Sequence, residues 1–228
     1  MDFAAVLSRL SRSVPDDLAF AFTDGPQRSF AQLDQQVHRV AQMFAAHGVC
    51  AGDRVAILTM NRIEFIEACF ASWRLGAIAV PLNFRLAPAE LTYLLNDCAP
   101  KVIVVEEALD RISDMELSNP PARLICGRAD PALPLPAGGR DYDNEMADAS
   151  SDELPNVANE QSPCLIMYTS GTTGRPKGAV LTHSNMRMQC NNNAAIFGFR
   201  FSDEVNFVGV PLFHIAGIGS ALGPFILG

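Results

Sequence analysis

The feature that most constrains this chain is the run Val102-Ile103-Val104-Val105, four consecutive β-branched residues between Lys101 and Glu106. A strand with one face in water alternates apolar and polar residues. An unbroken apolar run is expected where both faces of a sheet are covered, which is the situation of strands in parallel sheets. The flanking sequence keeps a matching rhythm. Val55 to Met60 reads as a strand after the turn Ala51-Gly52-Asp53. Glu64 to Leu75 reads as a helix with Phe65, Ala68, Cys69 and Ser72 on one side, and Gly76 ends it. Ala77 to Pro81 is strand-like, Pro88 suits the first turn of a helix running to about Asp97, and Arg123 to Cys126 is another short strand. Strands and helices alternating in this way predict an α/β domain, a mostly parallel sheet flanked by helices, with right-handed crossovers.

Toward the N-terminus, Phe3, Val6, Leu7 and Leu10 fall at helical spacing. Ser29 followed by Gln32 has the form of a capping box, behind which Leu33, Val37, Val40, Ala41 and Phe44 mark a helix stopped by Gly48. Trp73 is expected in the core, and His38 and His47 on the surface. From Gly127 to Pro163 the composition turns to Pro, Gly and then acidic residues. This predicts a long surface connection, either a loop within one domain or a boundary. Cys164 to Thr169 reads as a strand, as do Val180 and Leu181. Ser184 is a candidate cap for a helix to about Ala195, with the preceding His183 in a structural role. Val205 to Val210 reads as a last strand, ended by Pro211.

Composition narrows the class. The net charge is −8, from 17 basic and 25 acidic residues, and the basic ones form no stripe. The average field repels a nucleic-acid backbone, so no nucleic-acid partner is expected. The six cysteines are dispersed with no C-x-x-C pair, which predicts buried reduced thiols and no zinc site. The N-terminus lacks the apolar core of a signal peptide. No stretch reads as a transmembrane segment, the most apolar one (Ile215 to Gly228) being short and broken by Gly and Pro. A cytoplasmic protein is expected.

The chemistry is carried by Tyr168-Thr169-Ser170-Gly171-Thr172-Thr173-Gly174-Arg175-Pro176-Lys177-Gly178. Glycines let backbone N–H groups turn toward an anion, hydroxyls donate to phosphate oxygens, and Lys177 adds a compact positive charge. Together they describe a polyphosphate cradle. The Walker A pattern is excluded, because Arg175 and Pro176 separate Gly174 from Lys177 and Gly178 follows the lysine.

This run resembles the phosphate-loop signature of the adenylate-forming (AMP-binding) superfamily, which includes acyl-CoA synthetases, aryl-CoA ligases, peptide-synthetase adenylation domains and luciferases. The likeness extends to Asn61 through Gly76, Val80-Pro81-Leu82-Asn83, Leu86 to Asp97, Thr182-His183-Ser184-Asn185 and Pro211-Leu212-Phe213-His214. The resemblance implies that Thr169, Ser170, Gly171, Thr172, Thr173, Gly174 and Lys177 contact the phosphates of ATP, with Thr169 also touching Mg2+. Lys177 and His214 are then the candidate catalytic residues, His214 lying at the acyl pocket near the carboxylate. Ile215, Ala216 and Gly217 are small or apolar, and the small ones would leave room for an aliphatic chain.

The implied reaction is ATP-dependent activation of a carboxylic acid, fatty or otherwise hydrophobic, to acyl-AMP and then, with CoA, to acyl-CoA. The partners are thus a small-molecule carboxylic acid, ATP and CoA, with a homodimer possible for the full-length enzyme. The family's later elements, including a magnesium-binding glutamate, a ribose-binding aspartate and a C-terminal lid domain with its lysine, lie beyond Gly228. Residues 1–228 are therefore expected to be a truncated N-terminal AMP-binding domain, inactive alone. Two other readings stand beside this one: a non-catalytic nucleotide-binding module, and an adenylation domain serving a carrier protein.

Overall fold

Burial of β-branched runs on two faces dictates the architecture. The computed structural model describes residues 2–23, 25–150, 152–169, 175–198 and 205–227. A two-stranded ribbon pairs β1 (Leu18–Ala21) with β2 (Gln27–Ser29). The main sheet comprises β3 (Arg54–Leu58), β4 (Ile78–Pro81), β5 (Val102–Glu106), β6 (Ala122–Cys126), β7 (Gly139–Asp141), β8 (Pro163–Thr169) and β9 (Lys177–Thr182). Its spatial order is β7-β6-β5-β3-β4-β8-β9. Every neighbouring pair is parallel except β8 with β9.

The chain moves from β3 outward to β4, then returns across β3 to β5. That reversal makes β3 a topological switch point, the place where sheets of this kind open a ligand crevice beyond the carboxyl ends of their strands.

Strand alternation sorts the core into two layers. Val55, Ile57, Val102, Val104, Leu124 and Cys126 face one way. There they meet α1 (Phe3–Ser13), α2 (Phe30–Ala46), α3 (Ile63–Arg74), α5 (Tyr142–Asp148), α6 (His183–Phe197) and α7 (Ile215–Leu227). Ala56, Leu58, Val80, Ile103, Val105 and Ile125 face the other way, against Leu91, Leu94 and Leu95 of α4 (Pro88–Cys98). The expected α/β class, with a mostly parallel sheet and helices on its faces, is what forms.

The local signals explain most boundaries. Ser29 and Gln32 form a reciprocal capping box on α2, and Gly48 takes a φ of +79° just past it. Pro88 opens α4. All of α3 is buried, including its charged residues. Arg74 is accommodated by Asp34 at 2.7 Å and the Ser8 hydroxyl at 2.9 Å, because a buried charge is stable only when paired and hydrogen-bonded. Trp73 lies fully buried, its indole N–H donating to the Cys164 carbonyl at 2.8 Å.

Several expectations need correction. The stretch 127–163 is not simply a surface connection. It contains β7 and α5, held because Asp141 caps α5 and the fully buried Tyr142 anchors it. Val205 to Val210 is not a strand. No described strand offers it a ladder, and Val205 and Phe207 are 86% and 85% exposed. The cap of α6 is Thr182, in a capping box with Asn185, rather than Ser184. His38 is buried beside Asp34 rather than on the surface, and burial lowers its pKa. His47 is half-buried, its Nε2 lying 2.6 Å from a Glu145 carboxylate oxygen. Cys50 is exposed, while the other five cysteines are buried, all as free thiols.

Candidate active site

The two stems of the glycine-rich loop are neighbouring antiparallel strands. Thr169, the last residue of β8, pairs with Lys177, the first of β9, and Tyr168 pairs with Gly178. The Thr169 hydroxyl donates to the Lys177 carbonyl at 3.5 Å. Both residues are exposed. The connection therefore joins strand to strand, whereas a Walker A loop joins a strand to a helix, so the geometry separates the two as the spacing does. Ser170, Gly171, Thr172, Thr173 and Gly174, five of the expected phosphate ligands, lie outside the described residues.

A second group gathers at the same edge of the sheet. β3, β4 and β8 run parallel, so their carboxyl ends share one side. Beyond β3, Asn61 donates from Nδ2 to the Val210 carbonyl at 3.0 Å and accepts the Leu212 N–H on Oδ1 at 2.8 Å. This two-way clamp fixes the turn that carries His214. Beyond β4, Phe84 meets the Phe213 ring edge-on at 5.2 Å. His214 is exposed. Its N–H donates to Pro211 at 3.1 Å and its carbonyl accepts from Ile218 at 3.1 Å, which places it at the start of α7.

Thr169, Lys177 and His214 thus share one edge of the sheet. Among the described residues, no hydrogen bond or ring contact links His214 to the stems of the loop. The role expected for Gly217 needs revision, since the Pro211 carbonyl and Leu212 backbone occupy the space a Cβ would take there. Its small size serves the close approach of α7 to the preceding turn.

A cavity of about 1310 Å³ lies over the ends of β3 and β5, lined among others by Asn61, Arg62, Glu106, Phe84 and Leu212. Arg62 is paired within it. Arg62 donates to both carboxylate oxygens of Glu64, at 3.2 and 2.9 Å, and lies 3.8 Å from Glu106. The Glu64 hydrogen bonds hold the Arg62 pKa up. Gly127, with φ of +62°, leaves the space that the Arg62 guanidinium fills.

His183 is structural, as expected. It accepts the Phe3 N–H on Nδ1 at 3.4 Å, its ring centroid lies 5.7 Å from that of Trp73, and burial lowers its pKa to about 4. Among the described residues, no cluster of three or more His, Cys, Asp or Glu side chains could hold a metal ion. No described helix is long and apolar enough to cross a membrane.

Sequence reading missed Asn61 as a clamp and Phe84 as a wall. Asn61 acts on backbone 149 and 151 residues away, a pairing that no local pattern announces.

Known proteins resemble the chain over most of its length. A feruloyl-CoA synthase from Amycolatopsis sp is 39% identical over 204 residues, covering 89% of this chain and 38% of that protein. The long-chain-fatty-acid–CoA ligase FadD13 of Mycobacterium tuberculosis is 32% identical over 196 residues, covering 85% of this chain and 37% of its own length. The chain thus spans well under half of these relatives. The anthranilate CoA ligase AuaEII, solved in complex with anthranoyl-AMP, superposes with a TM-score of 0.89 at 25% identity, over 100% of this chain and 44% of that one. The family model described as AMP-binding enzyme matches residues 7–228, so the chain belongs to the AMP-binding enzyme family.

Proposed function

We propose that the protein of which this chain is part activates a hydrophobic carboxylic acid with ATP and passes the acyl group to CoA. The observation carrying this reading is the exposed Thr169–Lys177 pair, closing a Gly/Thr-rich loop at the carboxyl edge of a doubly wound sheet. A carboxylate oxygen attacks the α-phosphorus of ATP, the bond to pyrophosphate breaks, and acyl-AMP forms. The CoA sulfur then attacks the acyl carbon and AMP leaves. Phosphoryl-group chemistry of this kind is driven by positioning and by neutralising charge on the departing group.

Lys177 would meet the negative charge that develops on pyrophosphate. If magnesium accompanies ATP, the Thr169 hydroxyl would be a candidate oxygen ligand for it, and the ion would supply charge neutralisation on the phosphates. His214, held by the Asn61 clamp beside the Phe84–Phe213 pair, would face the acid. The aromatic wall and the substrates in the relatives' names both favour a hydrophobic acid.

The test is acid-dependent exchange of pyrophosphate into ATP by the full-length enzyme, run with a hydroxycinnamic acid, a long-chain fatty acid and an arylacetic acid. Exchange with at least one of these, followed by CoA-dependent AMP release, is expected. Nucleotide binding without exchange for any acid would replace this reading with that of a non-catalytic module.

A further inference from the structure

The two ends of the loop signature, Tyr168 and Gly178, have no part in gripping phosphate under the reading above. The structure gives them another partner. Along β8 the side chains alternate, and Tyr168 points to the face covered by α4. Its hydroxyl donates to Oδ2 of Asp97, in the last turn of α4, at 2.5 Å across 71 residues of sequence. Burial, and then the Asp97 carboxylate, hold the Tyr168 pKa well up, so the hydroxyl keeps the proton it donates.

Directly opposite Tyr168 on β9 stands Gly178. A Cβ at that position would lie 2.7 Å from Ile166 Cγ2 and 3.4 Å from two ring carbons of Tyr168. A side chain there would displace Ile166 and lie in contact with the Tyr168 ring. The second stem is held from the same helix. Tyr93, one helical turn before Asp97, donates its hydroxyl to the Pro176 carbonyl at 3.4 Å, and the Arg175 guanidinium lies 6.0 Å above the Tyr93 ring. Residues four apart on a helix share a face, so one face of α4 reaches both stems.

We propose that Asp97 and Tyr93 of α4, with Tyr168 and Gly178, form a brace that sets the separation and angle of the loop's two stems and thereby its affinity for ATP. These are positioning residues, acting on nucleotide through the loop. The inference rests on the ATP-dependent reading above. It deepens that reading by assigning control of the nucleotide site to a helix on the opposite face of the sheet from α1, α2 and α3.

The test uses the full-length enzyme with Tyr168→Phe, Asp97→Ala and Asp97→Asn. The first two remove the hydrogen bond, while asparagine keeps an acceptor in place. Expected for Tyr168→Phe and Asp97→Ala is a rise of roughly tenfold in KM for Mg-ATP, with KM for the acid within about twofold of wild type. Asp97→Asn should stay within about threefold of wild type for both substrates. The double variant Tyr168→Phe/Asp97→Ala should be no worse than either single one, as expected for two ends of one contact.

Amide hydrogen exchange in the peptide spanning residues 175–182 supplies a readout independent of turnover. It should accelerate in Tyr168→Phe and Asp97→Ala but not in Asp97→Asn. Unchanged exchange in Tyr168→Phe would overturn the brace, as would KM values for ATP and acid that rise together. If the wild-type enzyme forms no acyl-adenylate, the functional reading fails and the hydrogen-exchange result alone decides whether the stems are braced.

Discussion

The centre of the sheet and its β8–β9 corner are built by different physics. β5 is buried at all five positions and β3 at four of five, between helices on both faces. Residues 177–180 of β9 are all exposed. The centre is held by apolar burial, at about 25 cal/mol per Å² removed from water. The corner is held by its ladder and by a few directed contacts to α4. Packing gives the centre one arrangement, while the corner can lose a contact without loss of the fold. Elements that bind ligands are commonly drawn from such less densely packed regions. A change in the centre should therefore be read in stability, and a change at the corner in nucleotide affinity.

The largest effect is expected from the centre. Trp73 packs against Phe3 and Phe70, with ring centroids at 5.3 and 5.0 Å, and donates to Cys164. Trp73→Ala should lower the unfolding free energy by about 3–5 kcal/mol, measured by urea denaturation. A loss below about 1 kcal/mol would mean that the centre is not held by packing.

A somewhat smaller effect should appear as pH dependence. Glu67, inside α3, accepts the Tyr142 hydroxyl at 3.2 Å and lies 3.9 Å from Arg28. Burial, and then Glu64, raise its pKa to about 7. The folded state then holds this proton more tightly than the unfolded state, so stability falls as pH rises from about 4.5 to about 7. His183 acts in the opposite sense. With its pKa lowered to about 4, it contributes stability above its ordinary value of 6.5, and that stability is lost as pH falls toward 4. Each interval corresponds to roughly 3 kcal/mol, so the two largely offset one another in the native protein. Glu67→Gln should expose the His183 slope, giving stability that climbs by roughly 2–3 kcal/mol between pH 4 and 6.5. A variant profile identical to wild type would remove Glu67 from the account.

These regions also differ in how far the sequence reveals them. The central strands were legible because an apolar run without alternation has few other places to go. The Ser29–Gln32 box and Gly48 marked the ends of α2 by local hydrogen bonding and backbone freedom. Val205 to Val210 shows the limit of the same argument. β-propensity reports fitness for a pleated surface and says nothing about whether a partner strand is present. β7 and α5 were hidden because their anchor, Tyr142, is the one fully buried residue of a short helix in an acidic stretch. The pairing of Thr169 with Lys177 was implicit in a glycine-rich gap between two strands. The reason for Gly178 was not, because it depends on where Ile166 and the Tyr168 ring lie across the ladder. Likewise the Asn61 clamp depends on a turn some 150 residues away in sequence, since Leu212 is 151 positions on.

The separation of fold from nucleotide grip is tested most directly at Lys177, which is exposed at the root of the loop. Lys177→Ala in the full-length enzyme should be measured twice, by denaturant unfolding and by acid-dependent pyrophosphate exchange. The account predicts an unfolding free energy within about 0.5 kcal/mol of wild type and an exchange rate lower by roughly 10²–10³-fold. Wild-type exchange in a correctly folded Lys177→Ala enzyme would contradict it.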